Sequence, residues 1–400
     1  GSEMCIRDRY RDEKNILMCI SAVIILIFFI PYTASGFKAV GTLFNSLFGF
    51  DYHAAMIIGA VVIIGYTIMG GFMAVSTTDL IQSIVMSIAL IIIVFYGIHI
   101  AGGWNAVMDN ARSLAGYLSM TQIHDPVSNT AAPYSMISIF SMMAWGLGYF
   151  GMPHILLRFM AIEDENKLGL SRRIASVWVV ISMFVAILIG MIGCGVSAAG
   201  KLETFTSSAD SETIIIRLSG LLGGHGFLLS IVAGIVLAGI LASTMSTADS
   251  QLLTAASSVS QNLLQDFLKI KMNAKTSMAA VRITVLAVAL VGISLAWDPN
   301  SSVFTIVSFA WAGFGAAFGP VMLFSLFWKR TNFCGALAGM ISGGIMVFVW
   351  KYGIRPLGGA WNIYELLPAF LVASAAILLV SLATAPPSED ICRQFDSASK

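Results

Sequence analysis

Apolar residues run along this chain in ten long stretches, at 15–36, 54–75, 79–102, 135–160, 174–199, 227–262, 280–297, 303–327, 334–351 and 364–384. Each comes close to or exceeds the ~20 residues that a helix needs to cross a hydrocarbon layer of ~30 Å. No window alternates apolar and polar residues as a half-buried strand would, and an open sheet edge has no place in lipid. The pattern predicts an all-α integral membrane protein with about ten transmembrane helices. The 227–262 stretch is too long for one simple span, so its end is expected to project into the cytoplasm.

The polar residues inside these stretches carry the candidate chemistry. Ser243, Thr247, Ser250, Thr254, Ser257 and Gln261 follow one another at spacings of 4, 3, 4, 3 and 4, which places them on one helical stripe with Ser246 beside it. Such a stripe can simply glue helices together. Asp249 shifts the reading, because an ionisable residue inside a span is costly and faces a cavity or a partner. Hydroxyls, a carboxylate and backbone carbonyls are the oxygen ligands that a small hard cation prefers. A sodium site is the sharper expectation.

In Ala144–Met160, Gly146, Gly148 and Gly151 spell G-x-G-x-x-G, but a dinucleotide fingerprint needs a strand before it and a βαβ setting. Three glycines followed by Pro153 instead predict a helix broken inside the membrane, where secondary transporters expose backbone to substrate. Trp145 and Tyr149, four apart, set two aromatic rings beside the break, against the plainer alternative of a packed proline kink. His154 reads as a packing or hydrogen-bonding histidine, and Arg158 as a residue reaching toward the cytoplasm. Asp79 lies in VSTTDLIQ, where one span meets the next, and capping of a helix start explains it without further function. Gly313, Gly315 and Gly319 before Pro320 imply close helix packing or a second flexible span.

Composition agrees with the pattern. Apolar residues make up 58% of the 400 residues and charged ones 11%, where soluble domains carry about 25% charged residues. The net charge of +1 suggests neither nucleic acid nor an acidic partner. Sixteen of the 22 Lys and Arg residues fall on segments that are cytoplasmic if the chain starts there, against six on the other side, so both ends are expected in the cytoplasm. Cys5, Cys19, Cys194, Cys334 and Cys392 lie far apart, without metal-ligand spacing. The sequence shows no nucleophile elbow, HExxH, Walker motif or paired catalytic carboxylates, so no catalytic residue and no enzyme is expected. Residues 1–9 read as an extraneous scar, residues 10–387 as one membrane domain and 388–400 as a cytoplasmic tail.

From about Tyr10 to about Pro387 the chain is similar to the sodium:solute symporter family. The resemblance rests on YTIMGGFMA at Tyr66–Ala74, WGLGYFGMPHILLRFMA at Trp145–Ala161, AWAGFGAAFGP at Ala310–Pro320 and SLFWKRTNFCGALAGMISGG at Ser325–Gly344. It implies a LeuT-type inverted-repeat fold in a cell membrane. The ten spans would be core helices three to ten plus two trailing ones, so the leading helix and core helices one and two are expected outside this sequence. It also implies co-transported sodium, held by Ser246 and Thr247 with the carbonyl of Ser243, and in some relatives a second sodium at Asp79, Asp249 and Ser250. The expected substrate is L-proline, in a pocket of Tyr32, Trp145, Tyr149 and Pro153. Pantothenate, a carboxylate or the symporter-like membrane domain of a sensor kinase remain as alternatives.

Overall fold

The structure, a computed structural model, describes residues 2–126, 128–160, 162–205 and 207–398, without the side chains of 2–5, 70–76, 157–158 and 398. The signature glycines Gly70 and Gly71 and the Arg158 side chain therefore lie outside the described residues. In chain order the helices are α1 (Ser2–Tyr10), α2 (Ile16–Phe48), α3 (Tyr52–Ile100), α4 (Trp104–Ser113), α5 (Met136–Met143), α6 (Pro153–Met160), α7 (Leu168–Ala198), α8 (Ser208–Ser211), α9 (Ile214–Gly223), α10 (Phe227–Ser257), α11 (Ala274–Leu295), α12 (Val303–Phe327), α13 (Phe333–Phe348), α14 (Leu366–Ala383) and α15 (Glu389–Ala398). Among the described residues, nine segments are long and apolar enough to cross a membrane, two of them within α3. The tenth predicted stretch, 135–160, is helical but broken: α5, a 3-10 run over Ala144–Gly151, extended Met152, then α6. The Gly146–Gly148–Gly151 and Pro153 spacing had pointed there.

One element departs from the all-α expectation. Strands β1 (Gln122–Asp125) and β2 (Thr130–Pro133) pair antiparallel in the segment between α4 and α5. Both lie outside every apolar stretch, where a hairpin satisfies backbone groups as well as water does.

Short polar side chains set the helix starts by taking otherwise orphaned N–H groups. Asp51 accepts from Ala54 N at 2.9 Å before α3, Asn273 from Thr276 N at 2.9 Å before α11, and Asn332 from Gly335 N at 2.9 Å before α13. Before α12 the cap is reinforced from afar, since Glu212 accepts from Ser302 Oγ at 2.7 Å and from the N–H groups of Val303 and Phe304 at 3.0 Å each. At the other end of α2, Gly49 adopts φ +68°, which glycine reaches without a Cβ penalty, and its N–H returns to Asn45 O at 3.0 Å.

Helix α2 runs twelve residues beyond the apolar stretch that predicted it and takes in Lys38. Lys38 lies inside the helix, 2% exposed, with Nζ donating to Asp298 O at 3.2 Å and Pro299 O at 2.8 Å. Two carbonyls satisfy the ammonium where hydropathy alone predicts only cost.

Helix α3 would measure about 74 Å if straight, but its contacts with α10 exclude that. Its second half runs antiparallel to α10, with Asp79 at Ser246 and Val85, Met86 and Ala89 around Gly239. Extended straight, that line would carry Tyr66 about 15 Å or more past Asp249, yet Tyr66 hydrogen-bonds both Asp249 and Met245 O. The chain therefore turns back between its two halves. Asp79 accordingly lies near the start of the second half of α3, facing α10, where it accepts from Ser246 Oγ. Past α10, the helix continues as a π-helical run over Ser258–Phe267.

The core centres on α12, whose glycines serve close packing. A Cβ at Gly313 would meet the ring of Phe28 at 2.1 Å, and one at Gly315 would meet Gly148 Cα at 2.8 Å. Pro320 sits inside the helix without ending it. Phe28, Phe29, Phe309 and Phe314 fill the space between α2 and α12, with ring centroids 4.5–5.9 Å apart. A second core joins the latter half of α3 to α4, α7 and α9 through Ile93, Val107, Ile192 and Leu218. These two cores hold α10 between them.

Candidate ion and substrate site

The hydroxyl stripe of α10 opens onto water-sized space. Ser243, Ser246, Thr247 and Asp79 line a cavity of about 770 Å³ that also reaches Lys167 and Trp178. Ser246, Thr247 and Ser250 line an adjoining cavity of about 390 Å³ together with His154. Ser246 and Thr247 are common to both. Thr247 Oγ1 donates to Ser243 O one turn back, at 3.1 Å, which leaves the lone pairs of the hydroxyl for the cavity. Ser246 Oγ donates to Asp79, which is 7% exposed. Two hydroxyls, a carbonyl and a nearby carboxylate form an all-oxygen environment suited to a hard monovalent cation.

Asp249 faces elsewhere. It is fully buried and accepts from the Tyr66 hydroxyl. Its neighbour Ser250 lines the smaller cavity and Asp79 the larger. The structure thus joins Asp79 to Ser243, Ser246 and Thr247, and sets Asp249 apart from them against the first half of α3.

The four residues expected to form the substrate pocket lie on three elements: Tyr32 on α2, Trp145 and Tyr149 on the 3-10 run, and Pro153 on α6. Trp145 lies in a parallel stack, 5.3 Å from Trp311, 5.5 Å from Phe304 and 5.8 Å from Tyr364. Tyr149 meets the Trp311 ring edge-on at 4.8 Å. Trp311 also donates from Nε1 to Trp145 O at 2.9 Å, tying the 3-10 run to α12. Tyr32, directly after Pro31 in α2, stands edge-on to His154 at 6.2 Å, and Pro153 opens α6 beside it. The His154 ring meets Tyr32, and His154 also lines the cavity of Thr247.

A profile of the sodium:solute symporter family matches residues 3–343. The chain belongs to that family. Among its relatives, the "High-affinity proline transporter PutP" of Bacillus subtilis (strain 168) is 38% identical over 392 residues, covering 98% of this chain and 78% of that protein. A "Sodium/proline symporter" of Staphylococcus aureus (strain USA300 / TCH1516) is 37% identical over 387 residues, 95% of this chain and 72% of that one. Among solved structures, a Na+-coupled sialic acid symporter in a substrate-bound outward-open state superposes with a TM-score of 0.70. It covers 97% of this chain and 78% of that one at 16% identity, so the likeness establishes the fold alone.

Within this family fold, two side chains at the site were not singled out by sequence reasoning. Trp311 and Tyr66 both stood inside quoted motifs, AWAGFGAAFGP and YTIMGGFMA, but nothing in the spacing showed what they touch. His154 reads in the sequence as a packing or hydrogen-bonding histidine; its contact with Tyr32 and its place on the cavity wall are tertiary facts.

Proposed function

We propose that this protein is a sodium-coupled symporter that imports L-proline by alternating access across the cytoplasmic membrane. The observation that carries the reading is the pair of hydroxyls of Ser246 and Thr247 on a shared cavity wall, in a chain 37–38% identical to proteins named as proline transporters. Sodium is cargo here, held by Ser246 Oγ, Thr247 Oγ1 and the Ser243 carbonyl, while Asp79 orients Ser246 and supplies negative charge. Tyr32, Trp145, Tyr149 and Pro153 meet the substrate, with the rings taking its apolar face. Both ends of the chain face the cytoplasm, as the lysine and arginine bias supports.

No covalent step is needed. Sodium favours the conformation that binds substrate, and the inward movement releases both. One sodium ion crossing ~100 mV contributes about 2.3 kcal/mol, and a ten-fold sodium gradient adds about 1.4 kcal/mol. Together they sustain roughly 500-fold accumulation of substrate.

The test is radiolabelled proline uptake into proteoliposomes holding the purified chain, with an inward sodium gradient or with potassium in its place. Uptake that needs sodium is the expected result. Uptake of proline independent of sodium, or none at all, would overturn the proposal.

A further inference from the structure

The connector between α13 and α14 grips the first half of the broken helix. Tyr364, near its end, is 8% exposed and reaches two other elements. Its N–H donates to Ser141 Oγ on α5 at 2.6 Å, and its ring stacks on Trp145 with centroids 5.8 Å apart. Its hydroxyl donates to Ser308 O on α12 at 2.6 Å. Ser141 is itself 2% exposed, so this N–H has no water to turn to when the bond breaks.

Buried charge stiffens the connector around Tyr364. Arg355 spans it, with Nε on Asn362 Oδ1 at 3.1 Å and Nη1 on Glu365 at 2.9 Å. Glu365, 1% exposed, also faces Lys351 Nζ at 3.8 Å, and that ammonium stands 4.1 Å from the centre of the Phe309 ring on α12. A buried carboxylate is costly unless it is paired, and here the pairing fixes the residue next to Tyr364.

The ion cavity belongs to the other membrane face. The cavity of Ser246 and Thr247 reaches Ile162 and the exposed Lys167. Five membrane-length segments, from Glu165–Ala198 to Phe333–Leu357, lie between Ile162 and Tyr364. An odd number of crossings puts the two residues on opposite faces, Tyr364 on the outer one in the orientation proposed above. Extended Met152 separates the gripped half from α6, and such a break lets one half of a helix move without the other.

We propose that the α13–α14 connector is a lock, with Tyr364 as its bolt, that holds the outer side closed while the ion cavity faces the cytoplasm. The inference rests on the reading of the protein as an alternating-access carrier. Opening the outer side requires Tyr364 to release Ser141 and Trp145, so weakening its bonds raises the population of the outward conformation.

The experiment reads opening as thiol reactivity, in intact cells expressing the full chain with its five cysteines replaced by serine. Ala144→Cys places a thiol in the gripped half, at a position 4% exposed. A membrane-impermeant maleimide added outside then reports how often that position is uncovered. Adding Tyr364→Phe removes the bond to Ser308 and keeps the ring; labelling should quicken about five-fold, the scale of one buried hydrogen bond. Ser141→Ala should act in the same direction, and decides alone should Tyr364→Phe fail to fold. Val107→Cys, fully buried in the second core, should label at an unchanged rate. Unchanged labelling of Ala144→Cys in both variants, beside sodium-dependent proline uptake by the unaltered chain, overturns the lock and leaves symport standing. Quicker labelling at both cysteine positions is a general loosening of the fold and also overturns the lock. Absence of uptake brings down the symport reading, while the labelling contrast, which needs no transport, still decides the lock.

Discussion

Thr247→Ala separates the ion site from the substrate site. In the structure Thr247 is exposed to the cavity, and its hydroxyl makes one modest bond, to Ser243 O one turn earlier at 3.1 Å. Losing such an i−4 back-bond on an open face changes stability by no more than about 0.5 kcal/mol. The same oxygen, as a ligand to a cation, contributes on the scale of a hydrogen bond to a charged group, about 1.5–3 kcal/mol. The sodium concentration for half-maximal transport should therefore rise roughly 10- to 150-fold. Thr247→Ser keeps the oxygen and should stay close to the unaltered protein. The assay is initial proline uptake against sodium concentration at saturating proline, then against proline at saturating sodium. Equal rises in both requirements, or an unchanged sodium requirement, would refute the assignment of Thr247 to the ion.

Trp145→Ala should show the opposite bias, raising the proline requirement well above ten-fold while the sodium requirement changes little, since the ring stacks among Trp311, Phe304 and Tyr364 and lies off the cavities of Thr247. Gly151→Ala should lower the thermal unfolding temperature and yield, because its Cβ would sit 2.3 Å from Phe314 O; the cost is about 1–3 kcal/mol or more, and an unchanged melting curve would contradict the packing of the broken helix on α12. Glu212→Gln should destabilise the start of α12 by about 1 kcal/mol, since a charged acceptor beside the N-terminal N–H groups of Val303 and Phe304 becomes neutral; chemical unfolding in detergent would detect it.

Membrane insertion, helix number and the break near Pro153 were legible in the sequence because each depends on local composition. A run of apolar residues prefers lipid wherever it sits in the fold, and glycine and proline weaken a helix whatever surrounds them. The Ser243–Thr247–Ser250 stripe was legible for the same reason, since helical spacing alone puts those oxygens on one face. Asp79 was not. Its flanking Ser and Thr residues resemble a cap, and only the return of α3 against α10 puts it beside Ser246. The burial of Lys38 inside α2 was not legible either, because hydropathy charges the full cost of an ammonium and does not see the carbonyls of Asp298 and Pro299 that satisfy it. Which polar residues become neighbours, and which buried charges are neutralised, is decided by contacts between residues tens to hundreds of positions apart. Those contacts exist only once the helices have packed.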